Sequence, residues 1–468
     1  MRLAAVAAVA GVAGVAIAAA TGGCKGGPSN LLPLLSIDGA MPAPPVRNEE
    51  PRQIHYTITA PDAVTFNWRG SDGTLRYWAK NVAPRTVQAH RPVPVPSSSP
   101  GPWQEAVADG LRPGTEYFYE VGHPVRPTTL SFRAPAAPGA VGFAIVAVGD
   151  IGASTSSPAA GAVARMIARA DPTLVLALGD LTYADEGTQE DVDRHFDDAM
   201  AWSRRAAYMP VWGNHEWDGK GDDLRNYKGR FALPNAAASP GAPETGCCGE
   251  DWYWFDQGAV RIIVYPEPYA KETWPDWAKK AEPLFAAAQA DPALRFIVTA
   301  GHRPAYSSGQ HDGKSQLREI LDDFGTRFRK YVLNLSGHSH NYERTKPQAH
   351  VVHVTAGIGG GPLSPAPTEC KFPNCKVPAW VAFRALHHGF VRLKVKDEGI
   401  ALEAICAGAS PAEDSVRCGD GDILDSALIA PAAAAGVNVR ASSAPPSPPR
   451  RTRPQPSAAP SQTATTAE

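Results

Sequence analysis

The sequence predicts two folded domains in series, a small all-β sandwich followed by a larger α/β domain built on parallel strands. Three observations carry this expectation. The chain has 468 residues, too many for one ordinary hydrophobic core. Between Gln53 and Pro135, short alternating segments (IHYTITA, AVTFNW, TLRYWAK, TEYFYEV, TLSFRAP) are separated by turn residues, the pattern of a sandwich. Beyond a short hinge at Pro135 to Gly139 the pattern changes to continuous apolar runs, each ending on a small residue and then an Asp, Asn or His. Such runs read as buried parallel strands, and open α/β sheets bind ligands at the carboxyl ends of their strands.

The chain begins MRLAAVAAVAGVAGVAIAAATGGC. One Arg, an Ala/Val-rich stretch and then small residues predict an export signal over residues 1–24. As a transmembrane anchor the stretch is Ala-rich and barely long enough. Two ends are open: cleavage after Ala20, or retention of Cys24 as a lipid-modified first residue, since Gly22-Gly23-Cys24 resembles a lipoprotein box with Thr21 in place of the usual Leu. Lipidation at Cys24 is the one route by which a membrane enters the reading. Apart from Cys24 there are six cysteines, Cys247, Cys248, Cys370, Cys375, Cys406 and Cys418, a number suited to disulfides in an oxidising compartment. The preferred pairs are Cys370 with Cys375 and Cys406 with Cys418, leaving Cys247 and Cys248 for each other or as free thiols. Their spacings fit zinc poorly. A formal net charge of −2, with acids and bases mixed, gives no field for nucleic acid.

Residues 25–50 are Pro/Gly-rich and read as a linker, and 51–137 as the sandwich. Leu111 to Tyr117 (LRPGTEY) resembles the tyrosine corner of fibronectin type III domains, in which a Tyr hydroxyl bonds back to upstream backbone. The α/β domain is expected over 138–408. Its five runs are FAIVAVGD, LVLALGD, YMPVWGNH, RFIVTAGH and YVLNLSGHSH. Helical spacing (Val163, Met166, Ile167) between the first two suits a crossover. The stretches EDVDRHFDDAMAWSRRA, DWAKKAEPLFAAAQA and KSQLREILDDFGTRFRKY are also helical in pattern. VVHVTAG, GFVRLKVK and IALEAIC read as later strands closing a second face. The Ala/Pro/Ser-rich stretch 430–468 is expected to be disordered.

One sheet of this kind brings Asp150, Asp180, Asn214, His302, His338 and His340 to one crevice, with Tyr183 three residues past Asp180. That is donor enough for two metal ions. Carboxylate and phenolate suit a hard trivalent cation, and imidazole and amide suit a divalent one.

With these residues the chain resembles the calcineurin-like metallophosphoesterases, and among them the purple acid phosphatases. The carrying motifs are Asp150-Ile151-Gly152, Gly179-Asp180-Leu181-Thr182-Tyr183, Gly213-Asn214-His215-Glu216, Thr299-Ala300-Gly301-His302 and Gly337-His338-Ser339-His340. LRPGTEYFYEVG, GHRPAY and GHSHNYERT extend the likeness over about 53–405. Two departures are Thr299, where the family pattern has Val, and the segment YPEPYAKETW, unlike the usual connection. The resemblance implies a fibronectin-like sandwich and a four-layer α/β/β/α phosphoesterase domain. It implies iron(III) on Asp150, Tyr183 and His340, with zinc, manganese or iron(II) on Asn214, His302 and His338, and Asp180 bridging. His215 and His311 are then expected to bind the phosphate or protonate the leaving group, and Glu216 to hold His215 or a ligand in place. Arg303 and Arg344 flank ligands and face either phosphate or solvent. His350, His353, His387 and His388 are left structural.

The activity implied is acid phosphatase action on phosphate monoesters of small molecules, by attack of metal-activated hydroxide, in an exported protein. Alternatives are a phosphodiesterase or nucleotidase on the same scaffold, decided by loops such as Ala236 to Asp251 and Pro266 to Asp276, and a non-catalytic surface-binding protein.

Overall fold

The computed structural model describes residues 50–96, 101–122, 128–185, 188–217, 224–242, 249–363, 377–408, 417–431 and 440–441. The expected export signal, Cys24, the linker up to residue 49, and Cys247, Cys248, Cys370 and Cys375 lie outside them.

The first strands are β1 (Arg52–Ala60), β2 (Ala63–Arg69), β3 (Thr74–Ala79), β4 (Arg85–Gln88), β5 (Trp103–Ala108), β6 (Glu116–Val121) and β7 (Leu130–Arg133). They form two antiparallel sheets, β1-β2-β5 and β4-β3-β6-β7. Inward aromatics join the sheets: Phe66 on β2 meets Tyr119 on β6 with ring centroids 4.6 Å apart. The Tyr117 hydroxyl accepts the Arg112 amide N–H at 3.0 Å, which is the corner expected from LRPGTEY. Strand β1 is buried along most of its length because its second face lies on the α/β domain. There Tyr56 Oη donates to the Arg205 carbonyl at 2.7 Å, and Arg230 Nη1 donates to Gln53 Oε1 at 2.6 Å.

The α/β part continues with β8 (Phe143–Val148), α1 (Pro158–Ala170), β9 (Leu174–Leu178), α2 (Gln189–Ser203), β10 (Ala207–Val211) and the helical turns α3 (Asn214–Trp217) and α4 (Arg225–Lys228). Helix α1 starts with Pro158 in its first turn and stops at Asp171, whose φ is 44°, a left-handed end that halts the helix. Then follow β11 (Trp254–Gln257), β12 (Val260–Val264), α5 (Thr273–Ala290), β13 (Phe296–Ala300), α6 (Ser315–Arg327), β14 (Tyr331–Ser336), β15 (Tyr342–Thr345), β16 (Val352–Ala356) and β17 (Val381–Ala385). The last are β18 (Gly389–Val395), β19 (Ile400–Cys406), β20 (Ile423–Ile429) and β21 (Arg440–Ala441).

These strands make two seven-stranded sheets, in the orders β10-β9-β8-β18-β19-β20-β21 and β11-β12-β13-β14-β16-β15-β17. Their facing sides share one core, in which Val148 and Leu176 join Val298, Leu335 and Val354. Helices α1 and α2 cover the outside of the first sheet, and α5 and α6 cover the second through Trp277, Phe285, Leu321 and Phe324. The layering is therefore α/β/β/α, as the sequence led us to expect.

Three features differ from the sequence reading. The donors do not come from one sheet: Asp150, Asp180 and Asn214 follow β8, β9 and β10 of the first, while His302, His338 and His340 follow β13 and β14 of the second. The apolar runs of both sheets look alike, since all are buried on both faces. Secondly, of the three later strands only β16 joins the second sheet; β18 and β19 return antiparallel beside β8. Thirdly, ordered structure passes residue 408. Strand β20 extends the first sheet, Cys406 and Cys418 form the expected disulfide, and Arg440–Ala441, inside the stretch expected to be disordered, pair with β20. ILDSALI hides as a strand because Asp425 in its middle is a buried ion-pair partner. Among the described residues no helix is long and apolar enough to cross a membrane.

Candidate metal centre

Each donor strand stops in a tight turn whose backbone is held by neighbours from other strands. Asp150, Asp180 and His338 have φ of 56°, 48° and 68°, the left-handed region that costs most L-residues stability and that Asp and His tolerate better than others. The buried Glu216 carboxylate fixes one of these turns. It accepts the amide N–H groups of Asp180 at 2.9 Å, Leu181 at 2.8 Å and Gly213 at 2.8 Å. The small residue ahead of each donor has a steric reason. A Cβ on Gly213 would lie 2.2 Å from Asp180 Oδ1, and one on Gly179 would lie 2.5 Å from His302 Nδ1. A side chain from the neighbouring strand crosses over Gly213 and one from the opposite sheet over Gly179, so only a residue without a Cβ fits.

Two donor groups result. In one, His340 Nε2 lies 3.2 Å from Asp150 Oδ1 and 3.2 Å from the Tyr183 hydroxyl. In the other, His302 Nε2 lies 3.2 Å from Asp180 Oδ2 and 3.2 Å from Asn214 Oδ1. Ligand atoms of Asp180, His302 and His338 all lie within 4.8 Å of one another. Asp180 also acts on His340, and Asp150 on His302, so the two groups are adjacent, with both sheets contributing to each.

The donors fit cations on their own chemistry. Asp150 Oδ1 is buried and makes no hydrogen bond, although His340 Nε2 lies 3.2 Å away; a buried acceptor in that state is costly. His302 Nδ1 pairs with the Leu178 carbonyl at 2.9 Å and His340 Nδ1 with that of Pro362. Donation there fixes the tautomers that leave both Nε2 lone pairs for a metal. Without a cation the charges balance internally. Burial opposes a charge on His302, yet the Asp180 carboxylate holds that imidazole up at about 10. Burial likewise opposes the Asp180 anion, and His302 brings its carboxyl down to about 2. His338 moves the other way, well below the usual histidine range, through burial and then the positive His302 and Arg303.

Residues 143–342 match the family model described as calcineurin-like phosphoesterase. This chain carries a calcineurin-like phosphoesterase domain. Relatives similar to it include purple acid phosphatase 23 of Arabidopsis thaliana, 26% identical over 54% of this chain, of which the chain spans 61%. Another is the Fe(3+)-Zn(2+) purple acid phosphatase 12 of the same plant, 25% identical over 76% of this chain and 80% of that protein. Among solved structures, the purple acid phosphatase PPD1 of yellow lupin superposes with a TM-score of 0.60 at 21% identity, covering 78% of this chain and 74% of that one. The fold is thus shared, and the chain stands among the metal-dependent phosphoesterases.

The other residues singled out from the sequence divide between the surroundings of these donors and the rest of the fold. His215 sits on the Tyr183 side, its ring 4.7 Å from that of Tyr183, with Nε2 3.9 Å from Asp180 Oδ2. On the side of the second sheet, His311 in the loop after β13 stacks on His338, centroids 4.2 Å apart. The Glu216 carboxylate reaches the backbone of the Asp180 turn. The His215 ring is held instead by Asp185, whose two carboxylate oxygens lie 2.9 Å from Nδ1. The sequence reading missed Asp185; its only signal was its place two residues beyond Tyr183, in YAD. Burial opposes a charge on His215, but Asp185 and then Asp180 hold it up at about 9.

Arg344 faces neither phosphate nor solvent. It is buried against Asp425 on β20, with Nε to Oδ2 at 2.7 Å and Nη2 to Oδ1 at 3.0 Å. Arg303 does point into the crevice, with Nη1 2.9 Å from His338 Nε2. His353, His387 and His388 are buried and His350 is exposed, none with a contact to the donors named above.

Proposed function

We propose that this protein is an exported two-metal phosphatase that hydrolyses phosphate monoesters of small molecules. The carrying observation is the pair of donor groups that adjoin at Asp180, one of carboxylate, phenol and imidazole and the other of amide and two imidazoles. Asp150, Tyr183 and His340 would hold iron(III), because a phenol of ordinary pKa ~10 gives up its proton only to a strong local cation. Asn214, His302 and His338 would hold zinc, manganese or iron(II), with Asp180 shared. The Arabidopsis relative named for Fe(3+) and Zn(2+) supports this division. Such a pair of cations supplies an acidified water as nucleophile and neutralises charge on the phosphoryl oxygens.

The chain's own side chains do the rest. His215, protonated and fixed through Nδ1 by Asp185, offers its Nε2 proton to the crevice. As a positioned acid it would protonate the leaving alkoxide, a contribution typically worth ~10²–10⁴ in rate. His311, stacked on His338, faces the phosphoryl group from the other sheet. Glu216 keeps the Asp180 turn in its left-handed form. The disulfide between Cys406 and Cys418 supports export, since such bonds persist in oxidising compartments.

The test is hydrolysis of an aryl phosphate by the metal-loaded protein. Turnover is expected, and is lost in His338→Ala and in Asp180→Ala. Absence of hydrolysis of both mono- and diesters overturns the reading. Mass spectrometry of the mature N-terminus checks export: an intact Met1 terminus on protein recovered from the producing cells counts against it.

A further inference from the structure

The crevice wall beside His338 carries a cation that neither donor group uses. Arg303 follows His302 and is held twice. The Tyr265 hydroxyl donates to its backbone carbonyl at 2.9 Å, and its Nε donates to Glu267 Oε1 at 2.5 Å. The Glu267 side chain is 0% exposed and that of Arg303 is 20% exposed, so the guanidinium is anchored at Nε and open to the crevice at its Nη end. Both anchors lie in YPEPYAKETW, the segment that departs from the family connection.

The partner of the open end is informative. Arg303 Nη1 is 2.9 Å from His338 Nε2. A guanidinium only donates, so it binds the Nε2 lone pair, the same lone pair that a metal ion would take. His311 and Lys314 also act on His338 as positive neighbours, His311 with its ring stacked 4.2 Å away. Metal and Arg303 cannot both hold that lone pair. Once a cation takes it, Nη1 is released while Nε stays tied to Glu267, and a fork built to pair with phosphate oxygens is left facing the substrate.

We propose that Arg303, tethered by Glu267, clamps the non-bridging oxygens of the substrate phosphoryl group and sets the preference for monoesters over diesters. A monoester brings a second negative charge that a diester lacks, and a further fixed cation at the centre rewards it. This rests on the phosphatase reading above. Charge-assisted hydrogen bonds of this kind correspond to ~10–100-fold in affinity.

The experiment uses metal-loaded full-length protein, wild type, Arg303→Ala and Glu267→Gln. Calorimetric titration with orthophosphate is combined with kcat/KM for an aryl phosphate monoester and the matching diester. Arg303→Ala should weaken orthophosphate binding ~10–100-fold and lower the monoester-to-diester ratio by a similar factor, with metal content unchanged. Glu267→Gln, which keeps the arm and loosens its anchor, should move both readouts the same way by less. Unchanged orthophosphate affinity and ester ratio in a folded, metal-replete Arg303→Ala protein overturn the proposal; should that variant fail to fold, the same result in Glu267→Gln does so. If wild type hydrolyses neither ester, the phosphatase reading falls and the orthophosphate titration alone decides the role of Arg303.

Discussion

Glu216→Gln is the substitution whose consequence can be worked most closely from the structure. Each carboxylate oxygen serves a separate part of the Asp180 turn: Oε2 accepts the Asp180 and Gly213 amides, and Oε1 accepts that of Leu181. The anion suits this cradle, although burial and then the Asp180 carboxylate push the Glu216 carboxyl upward and only the Gly213 amide and nearby histidines oppose them. Glutamine has the same shape but one acceptor, so at least one N–H donor meets an NH₂ group. Losing one or two bonds to this buried carboxyl, at about 1–3 kcal/mol each, gives a penalty of about 1–6 kcal/mol. The loss falls on Asp180, the residue proposed to be shared by both ions, in a backbone held at φ 48°. Metal affinity should therefore drop about 10–100-fold, the usual effect of removing a group that orients a ligand. Competition with a chelator of known affinity measures that term, and urea denaturation of the chelated protein measures stability. If neither the metal affinity nor the unfolding midpoint moves, Glu216 is not what holds the Asp180 turn.

Other expectations are independent of that one. Purified iron-loaded protein should absorb in the visible through a phenolate-to-iron transition, and Tyr183→Phe should abolish the band while the far-ultraviolet dichroism is kept; a band surviving the substitution places the iron elsewhere. His353 is buried, both its ring nitrogens lack partners, and burial, reinforced by Arg318, depresses it from 6.5 to about 3. The unfolded chain therefore takes up a proton before the folded one as pH falls, so stability present above pH 6.5 is lost progressively toward pH 3. Between neutrality and pH ~4.5 the loss from this residue is about 2–3 kcal/mol, and His353→Phe should flatten that part of a stability-versus-pH curve; an unaltered slope sinks the assignment. The Arg344–Asp425 pair joins β15 of one sheet to β20 of the other. Asp425→Ala leaves a buried guanidinium without its partner and should cost about 3–5 kcal/mol by denaturation; a loss under about 1 kcal/mol would mean that β20 is not fastened this way.

Much of the centre was legible in the chain because its physics is local. An apolar run followed by Gly-Asp, Gly-Asn-His or Gly-His-Ser-His states a strand, a turn too tight for a Cβ, and a donor at the strand's end. Asp150, Asp180, Asn214, His302, His338 and His340 follow from that grammar, as does the Cys406 to Cys418 pairing from its short loop. The residues that went unseen act across long sequence gaps. Asp185 holds His215 from thirty positions away, and Glu267 reaches Arg303 from thirty-six. Neither spacing leaves a periodic mark, since a hydrogen bond between loops records only where two chain segments happen to meet.

The sequence by itself determined which side chains end the strands and what donor chemistry they carry. Tertiary structure alone decided that those strands belong to two sheets, so that the crevice is a seam between them rather than the edge of one. A buried parallel strand is apolar on both faces whichever sheet it joins, and nothing in its residues names its neighbours. Hydrogen-bond pairing and the shared core settled the partition, and the position of Arg303 over His338 follows from it.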